Sequence, residues 1–202
     1  MILKSRFWSD LSGLDFARLK ASSAIDQVVA VLPVAATEQH GPHLPLCVDT
    51  SLVNGVIDAA LAHLPADVPV LVLPTQAVGK SNGHERFAGT LTLTAETVIR
   101  VWMELGACVA GAGMKKLVLL NAHVGQVRIM DIVARDLRAR HDMLTFSSNG
   151  YTMPFPPEFE GLSSPEENRV GSHAGDMETS RVLAEVSRLR MSTVVDRPLY
   201  PL

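Results

Sequence analysis

The sequence predicts an α/β domain with a mostly parallel sheet and helices on both faces. Three observations lead there. Short apolar runs rich in Val and Leu alternate along the chain with longer stretches whose apolar residues recur every three to four positions. The short runs are apolar throughout rather than alternating, as strands buried on both faces of a parallel sheet are. Acids and histidines gather just after these runs, on the edge where parallel sheets bind their ligands.

The elements follow in chain order. "SDLSGLDFARL" reads as a short helix. The strands are "QVVAVLPVAA" (27–36), "VPVLVLP" (68–74), "KKLVLLNA" (115–122) and "DMLTFSS" (142–148). Between the first two, "TSLVNGVIDAALAHL" (50–64) puts Leu52, Val53, Val56, Ile57, Ala60, Leu61 and Leu64 on one stripe, with Asp49 at the N-cap. "TAETVIRVWMELGACVAGAG" (94–113) does the same with Val98, Ile99, Trp102, Leu105 and Val109, and Gly111 and Gly113 end it. Helical spacing returns in "QVRIMDIVARDLRARH" (126–141) and "METSRVLAEVSRL" (177–189). The segment 149–172 carries four prolines and three glycines and reads as an irregular lid, binding element or oligomer arm. A length of 202 residues suits one domain, 1–202, with its own core.

Composition narrows the function classes. A formal charge of −3 and no long basic run give a nucleic-acid partner no electrostatic support. The apolar runs are too short to span a bilayer, so no membrane partner is expected. "MILKSRFWSD" lacks the order of a signal peptide, and the cysteines Cys47 and Cys108 form no CxxC pair, which fits a cytoplasmic location. Cys47 reads as a small buried filler.

The polar residues after each strand carry the chemistry. Glu38, His40 and Asp49 follow the first; Ser81, His84 and Glu85 the second; Asn121 and His123 the third; His173, Asp176 and Glu178 the fourth and its long loop. Five of the seven histidines lie there, and all βα loops of a parallel sheet open on one edge. Glu38 and His40 are two apart, so on an extended segment they reach the same side. Carboxylates mixed with imidazoles suit Zn²⁺, Mn²⁺ or Fe²⁺, and three carboxylates with two imidazoles suffice for two ions. Asp49 taken alone reads as a helix cap, His43 as a packing residue, and Asp176 and Glu178 as acids at a helix start. No G-x-S-x-G, G-x-G-x-x-G or P-loop pattern is present.

"LPVAATEQHGPHLPLCVDT", "GKSNGHERFAGTLTL", "LVLLNAHVGQ" and "HAGDMETS" resemble, in this order, the four blocks of the creatininase family of metal-dependent amidohydrolases. The resemblance implies a three-layer α/β/α sandwich, a site for two divalent ions (Zn, Mn or Fe), and a homo-oligomer, often a hexamer built as a trimer of dimers. It implies that Glu38, Asp49 and His123 hold one ion. His40, Asp49 and a further carboxylate hold the other, with His173 the catalytic proton donor and Ser81, His84 and Asn121 on the substrate. In creatinine amidohydrolase that further carboxylate lies two residues beyond the third-strand histidine. Gly125 stands there in this chain, so the ligand is expected from Glu178 or Asp176.

The usual N-G-H-G-G-N reads N-A-H-V-G-Q, with Ala122, Val124 and Gln126 as departures, and the long segment offers Tyr151, Phe155 and Phe159 but no tryptophan. The expected activity is therefore hydrolysis of the C–N bond of a cyclic amide, formamide or similar small amide other than creatinine, by a water activated between two metals. Two alternatives stand beside it: a degenerate metal-binding scaffold, and a metal-dependent peptidase like the mycofactocin-associated members.

Overall fold

The computed structural model describes residues 3–152, 164–171 and 173–189. Four strands, β1 (Val29–Val34), β2 (Val70–Val72), β3 (Lys116–Asn121) and β4 (Leu144–Asn149), form one sheet in the order β2-β1-β3-β4, and every pairing is parallel. The helices are α1 (Gly13–Ala21), α2 (Val48–His63), α3 (Ala95–Gly111), α4 (Val127–His141), α5 (Pro165–Val170) and α6 (Asp176–Leu189). No helix among the described residues is long and apolar enough to cross a membrane.

Local chemistry sets the boundaries. Ser12 and Asp15 form a reciprocal capping box at the start of α1. The Thr94 hydroxyl caps α3 by accepting from Thr97 N–H, and α4 ends at Asp142, which takes the left-handed conformation with φ 52°.

The strand order reverses direction at β1. The chain steps from β1 to β2 on one side, then crosses back over β1 to β3 and β4. Right-handed crossovers put helices for opposite steps on opposite faces. Accordingly α3 packs on α4 over one face, and α2 packs on α6 over the other, giving the three layers expected.

Side-chain alternation fills both interfaces. Ala30, Leu32, Val34, Leu117 and Leu119 join Val98, Trp102, Val133 and Leu137 in the larger core, while Val31 and Leu120 pack with Val53 and Ile57 beneath α2. Gly106 lets α3 approach α4, since a Cβ there would lie 2.5 Å from Leu137 Cδ1.

Four expectations are corrected. Asp49 is not the N-cap of α2. The helix begins at Val48 behind Cys47, which makes no side-chain cap, and Asp49 is 2% exposed inside the first turn. Cys47 is exposed rather than a filler. β4 is not buried on both faces: Thr145 is buried, but Leu144 and Phe146 are exposed. The segment 149–172 is not wholly irregular, since Ser164 caps the short helix α5. Phe155 and Phe159 lie outside the described residues.

Candidate metal centre

In a sheet of order 2-1-3-4 the crevice opens beyond the carboxyl ends of β1 and β3, where the connections diverge. β1 leads to Glu38 and His40, and β3 to His123. The first turn of α2 brings Asp49, and α6 brings Glu178. Glu38, His40, Asp49 and His123 are each 5% exposed or less. Four such groups buried together need partners, and they find them in one another.

Glu38 is held from three sides. Its Oε1 is 3.1 Å from His123 Nδ1, and its Oε2 accepts from the Ser81 hydroxyl and lies 2.9 Å from His84 Nδ1. Burial alone would push its carboxyl up, but the hydrogen bonds from His123, Ser81 and His84 bring it down to about 2. His123 is the counterpart. Burial disfavours its charge, yet the carboxylates of Asp49 and Glu38 hold the imidazole up at about 10. Its Nε2 lies 2.9 Å from the Lys80 carbonyl oxygen, which can only accept, so Nε2 carries a proton and Nδ1 faces the acids.

His40 repeats this logic. Its Nδ1 donates to the Glu38 carbonyl at 3.1 Å, which leaves Nε2 turned to Asp49 Oδ1 at 3.3 Å. Among the described residues, His40 Nε2 and Asp49 Oδ2 are buried without an aligned hydrogen-bond partner; His123 Nδ1 passes 3.2 Å from Oδ2 but is not aligned on it. Burial works against charging His40, while Asp49 raises its pKa above the usual value. A proton or a cation must therefore stand between a bare imidazole nitrogen and a carboxylate.

A divalent ion fits that demand. Three overlapping groups offer ligand atoms within 4.8 Å of one another: Glu38–His40–Asp49, His40–His173–Glu178 and Glu38–His84–His173. Imidazole and carboxylate are the donors that borderline divalent ions take.

His173 stacks on His84 with ring centroids 4.3 Å apart and lies tilted against His40 at 4.2 Å. Its Nε2 donates to the Gln39 carbonyl at 2.6 Å, and its Nδ1 lies 3.9 Å from Glu38 Oε1. Glu178 joins the cluster while one of its oxygens accepts from Ala174 N–H at the start of α6. Asp176, the other candidate, is exposed and belongs to none of the groups among the described residues, because it precedes Glu178 by two positions and sits on another side of the helix turn. His43 stays out of the cluster, with Nε2 3.0 Å from Thr179 Oγ1.

Two residues expected on the substrate also make contacts within the protein, though Ser81 lines the cleft. The Ser81 hydroxyl is committed to Glu38. The Asn121 side chain clamps the third-strand loop, its Oδ1 accepting from His123 N–H at 2.9 Å and its Nδ2 donating to the His123 carbonyl. Both are buried supports of ligand candidates. His84 remains on the wall of the cleft.

The cleft over the cluster has a volume of about 600 Å³. Tyr151, missed as a site residue in the sequence, lines it, with its hydroxyl 3.2 Å from Asn149 Oδ1. Burial, partly offset by the Asn121 hydrogen bond, pushes this phenol up to about 12. Its position two residues beyond the end of β4 was the available signal.

Known proteins resemble this chain. A family model described as "Creatininase: Creatinine amidohydrolase" matches residues 15–198. A "Mycofactocin precursor peptide peptidase" of Mycobacterium tuberculosis is 38% identical over 115 residues, 54% of this chain and 45% of the relative. A "Creatinine amidohydrolase" of Pseudomonas putida is 31% identical over 140 residues, 67% of this chain and 53% of the relative. The chain thus spans about half the length of the curated relatives it matches. A solved structure described as "Creatininase Mn" superposes with a TM-score of 0.73 at 28% identity, covering 98% of this chain and 80% of that one. A glutamate-to-glutamine creatininase variant of "Zn-Zn type" gives 0.72 at 27%, with the same coverage.

Proposed function

The chain belongs to the creatininase family, and from that premise we propose that it is a metal-dependent hydrolase of the C–N bond in a small amide, such as a lactam or formamide. The observation that carries this reading is the buried pair His40 Nε2 and Asp49 Oδ2, left without aligned partners at the centre of a converging set of acids and imidazoles. Glu38, Asp49 and His123 would hold one ion, and His40, Asp49 and Glu178 a second, of Zn, Mn or Fe. When bound, such ions lower the pKa of a water and polarise a carbonyl oxygen.

The chain's own residues prepare that chemistry. Ser81 and His84 keep the Glu38 carboxylate ionised and aimed. The Lys80 and Glu38 carbonyls fix the tautomers of His123 and His40, so each offers one nitrogen to the site. The Gln39 carbonyl does the same for His173, leaving Nδ1 as the atom that passes a proton to the departing nitrogen.

A specific observation favours a second reading, a peptidase acting on a short peptide. The cleft adjoins an apolar cavity of about 420 Å³ between α2 and α6, and the two share Ala122, Tyr151, Glu178 and Arg181. Together they offer more room than a single small ring fills. One domain over 1–202, a cytoplasmic location and a homo-oligomer belong to the same proposal; light scattering would measure the last.

The test has two stages. Elemental analysis should find divalent metal in the purified protein and less in His40→Ala and Asp49→Ala; a chain that binds none refutes the proposal. Lactams, formamides and short peptides with added Mn²⁺ or Zn²⁺ should then reveal turnover that His173→Ala abolishes. Full metal occupancy without turnover on any class would favour a metal-binding scaffold instead.

A further inference from the structure

Gln126 is one of the positions where the sequence departs from its relatives, and it is 1% exposed. It precedes α4, yet its side chain does not cap that helix. It is spent elsewhere. Its Nε2 donates to Asn121 Oδ1 at 3.0 Å and to the Ala35 carbonyl at 3.3 Å, and its Oε1 accepts from Lys80 N–H at 3.3 Å. The partners fix the amide orientation: two are acceptors and one is a donor.

Two of these partners belong to residues that hold His123, Asn121 through the same Oδ1 and Lys80 through its carbonyl rather than the N–H that meets Gln126. Asn121 Oδ1 accepts from the His123 backbone, and the Lys80 carbonyl accepts from its Nε2. Gln126 therefore bonds to both residues that hold His123, one at its backbone and the other at its ring. A side chain one methylene shorter loses about 1.5 Å of reach toward three partners that lie on separate segments. Gly79 makes room for the longer one, since a Cβ there would run into the Gln126 amide oxygen and sit 2.5 Å from the Ala35 carbonyl oxygen.

We propose that Gln126 is a positioning residue for His123: it locks the Asn121 and Lys80 clamp so that the imidazole spends Nε2–H on a carbonyl and presents Nδ1 to Glu38 and Asp49. The departure at this position is then part of the site's construction, not a mark of its decay. The metal arm of the test rests on the proposed function; the ring arm does not.

Gln126→Met keeps the length and removes both polar ends, and Gln126→Glu keeps the size but removes the donor. In each, Zn²⁺ affinity is measured by competition with a chromophoric chelator, and the Co²⁺ visible spectrum is recorded. The ring nitrogens of His123 are followed by ¹⁵N NMR without metal, against wild type and His123→Ala. The expected result is a Zn²⁺ affinity lower by about 10–100-fold, an altered Co²⁺ spectrum, and faster exchange of His123 Nε2–H in protein that stays folded. Zn²⁺ binding that His123→Ala destroys and both Gln126 variants leave intact, with an unchanged ring signal, overturns the proposal while the metal reading stands. A wild type that takes up no Zn²⁺ but loses Nε2–H protection in the variants overturns the metal reading and supports the positioning role. Should neither variant fold, a wild-type spectrum lacking a protected His123 Nε2–H overturns it.

Discussion

Replacing Gly125 by alanine should destabilise the protein, against the usual sign of such a change. Gly125 lies in the one-turn 3₁₀ segment Val124–Gln126 just after His123. A Cβ there would stand 2.5 Å from His123 Nε2, 3.1 Å from its Cε1 and 2.8 Å from the Lys80 carbonyl oxygen. Neither neighbour yields cheaply, because one is backbone and the other is a ring bonded at both nitrogens. Overpacking of this kind costs about 1–3 kcal/mol. If the ring swings aside instead, the buried Nε2–H and carbonyl lose each other, at about 1–3 kcal/mol. The opposing effect is smaller: alanine narrows the unfolded ensemble, a gain of about 0.4–1 kcal/mol. The net loss is then about 0–2.6 kcal/mol. With a urea slope of about 2.5 kcal/mol per molar, the midpoint should fall by up to about 1 M. The measurement belongs in chelator, so that metal binding to the folded state does not enter. Gly13→Ala is the control, since a Cβ there meets nothing within 4 Å. If Gly125→Ala matches that control, the account of a rigidly clamped His123 is wrong. The same geometry says that Gly125→Glu, which places a carboxylate where the family resemblance would put one, should weaken Zn²⁺ binding rather than strengthen it.

Three further predictions follow from the site and core. Without metal, the raised His123 contributes stability that is complete below its unfolded pKa of 6.5 and fades as pH rises through about 10, while Glu38 contributes above 4.5 and fades as pH falls toward about 2. The stability gap between wild type and His123→Ala in chelator should therefore be widest between these unfolded values and shrink by pH 10; a gap that widens with pH contradicts this. With Zn²⁺ the trend reverses, and the metal-induced rise in Tm should grow from about pH 6 to 8 because ligating imidazoles must release their protons. Ser81→Ala removes a donor from buried Glu38 and should lower Zn²⁺ affinity by about 10–100-fold, read by chelator competition, and should also lower the metal-free Tm. Trp102→Ala, at a side chain 1% exposed between α3 and the sheet, should cost about 3–5 kcal/mol in urea unfolding, and a loss under 1 kcal/mol would refute its place in the core.

The sequence by itself determined the sheet and the address of the site. Val and Leu runs with helical stripes between them specify parallel strands, because such strands need covering on both faces and only crossovers of that length can return the chain. Once the strands are parallel, their following loops must open on one edge, so Glu38, His40, His123 and the acids after the last loop are committed to one neighbourhood. The spacing of Glu38 and His40 could also be read directly, since an extended segment repeats every two residues.

What only the tertiary structure decided is which atom faces which. Asp49 offers a good helix-capping side chain, but α2 starts two residues earlier than that cap requires and turns the carboxylate inward to His40 and His123. Ser81 and Asn121 looked like substrate contacts because they are polar and follow strands. Ser81 meets Glu38 from a segment 43 residues away, which no local pattern records, and Asn121 folds back onto His123 only two residues on. Glu178 separates from Asp176 only through the direction of the first turn of α6. Gln126 read only as a departure from the block the sequence resembles, and the structure closes Ala35, Lys80 and Asn121 around its amide. Hydrogen-bond partners are properties of chain segments that meet in space, so the residue types were legible in the sequence and their roles were not.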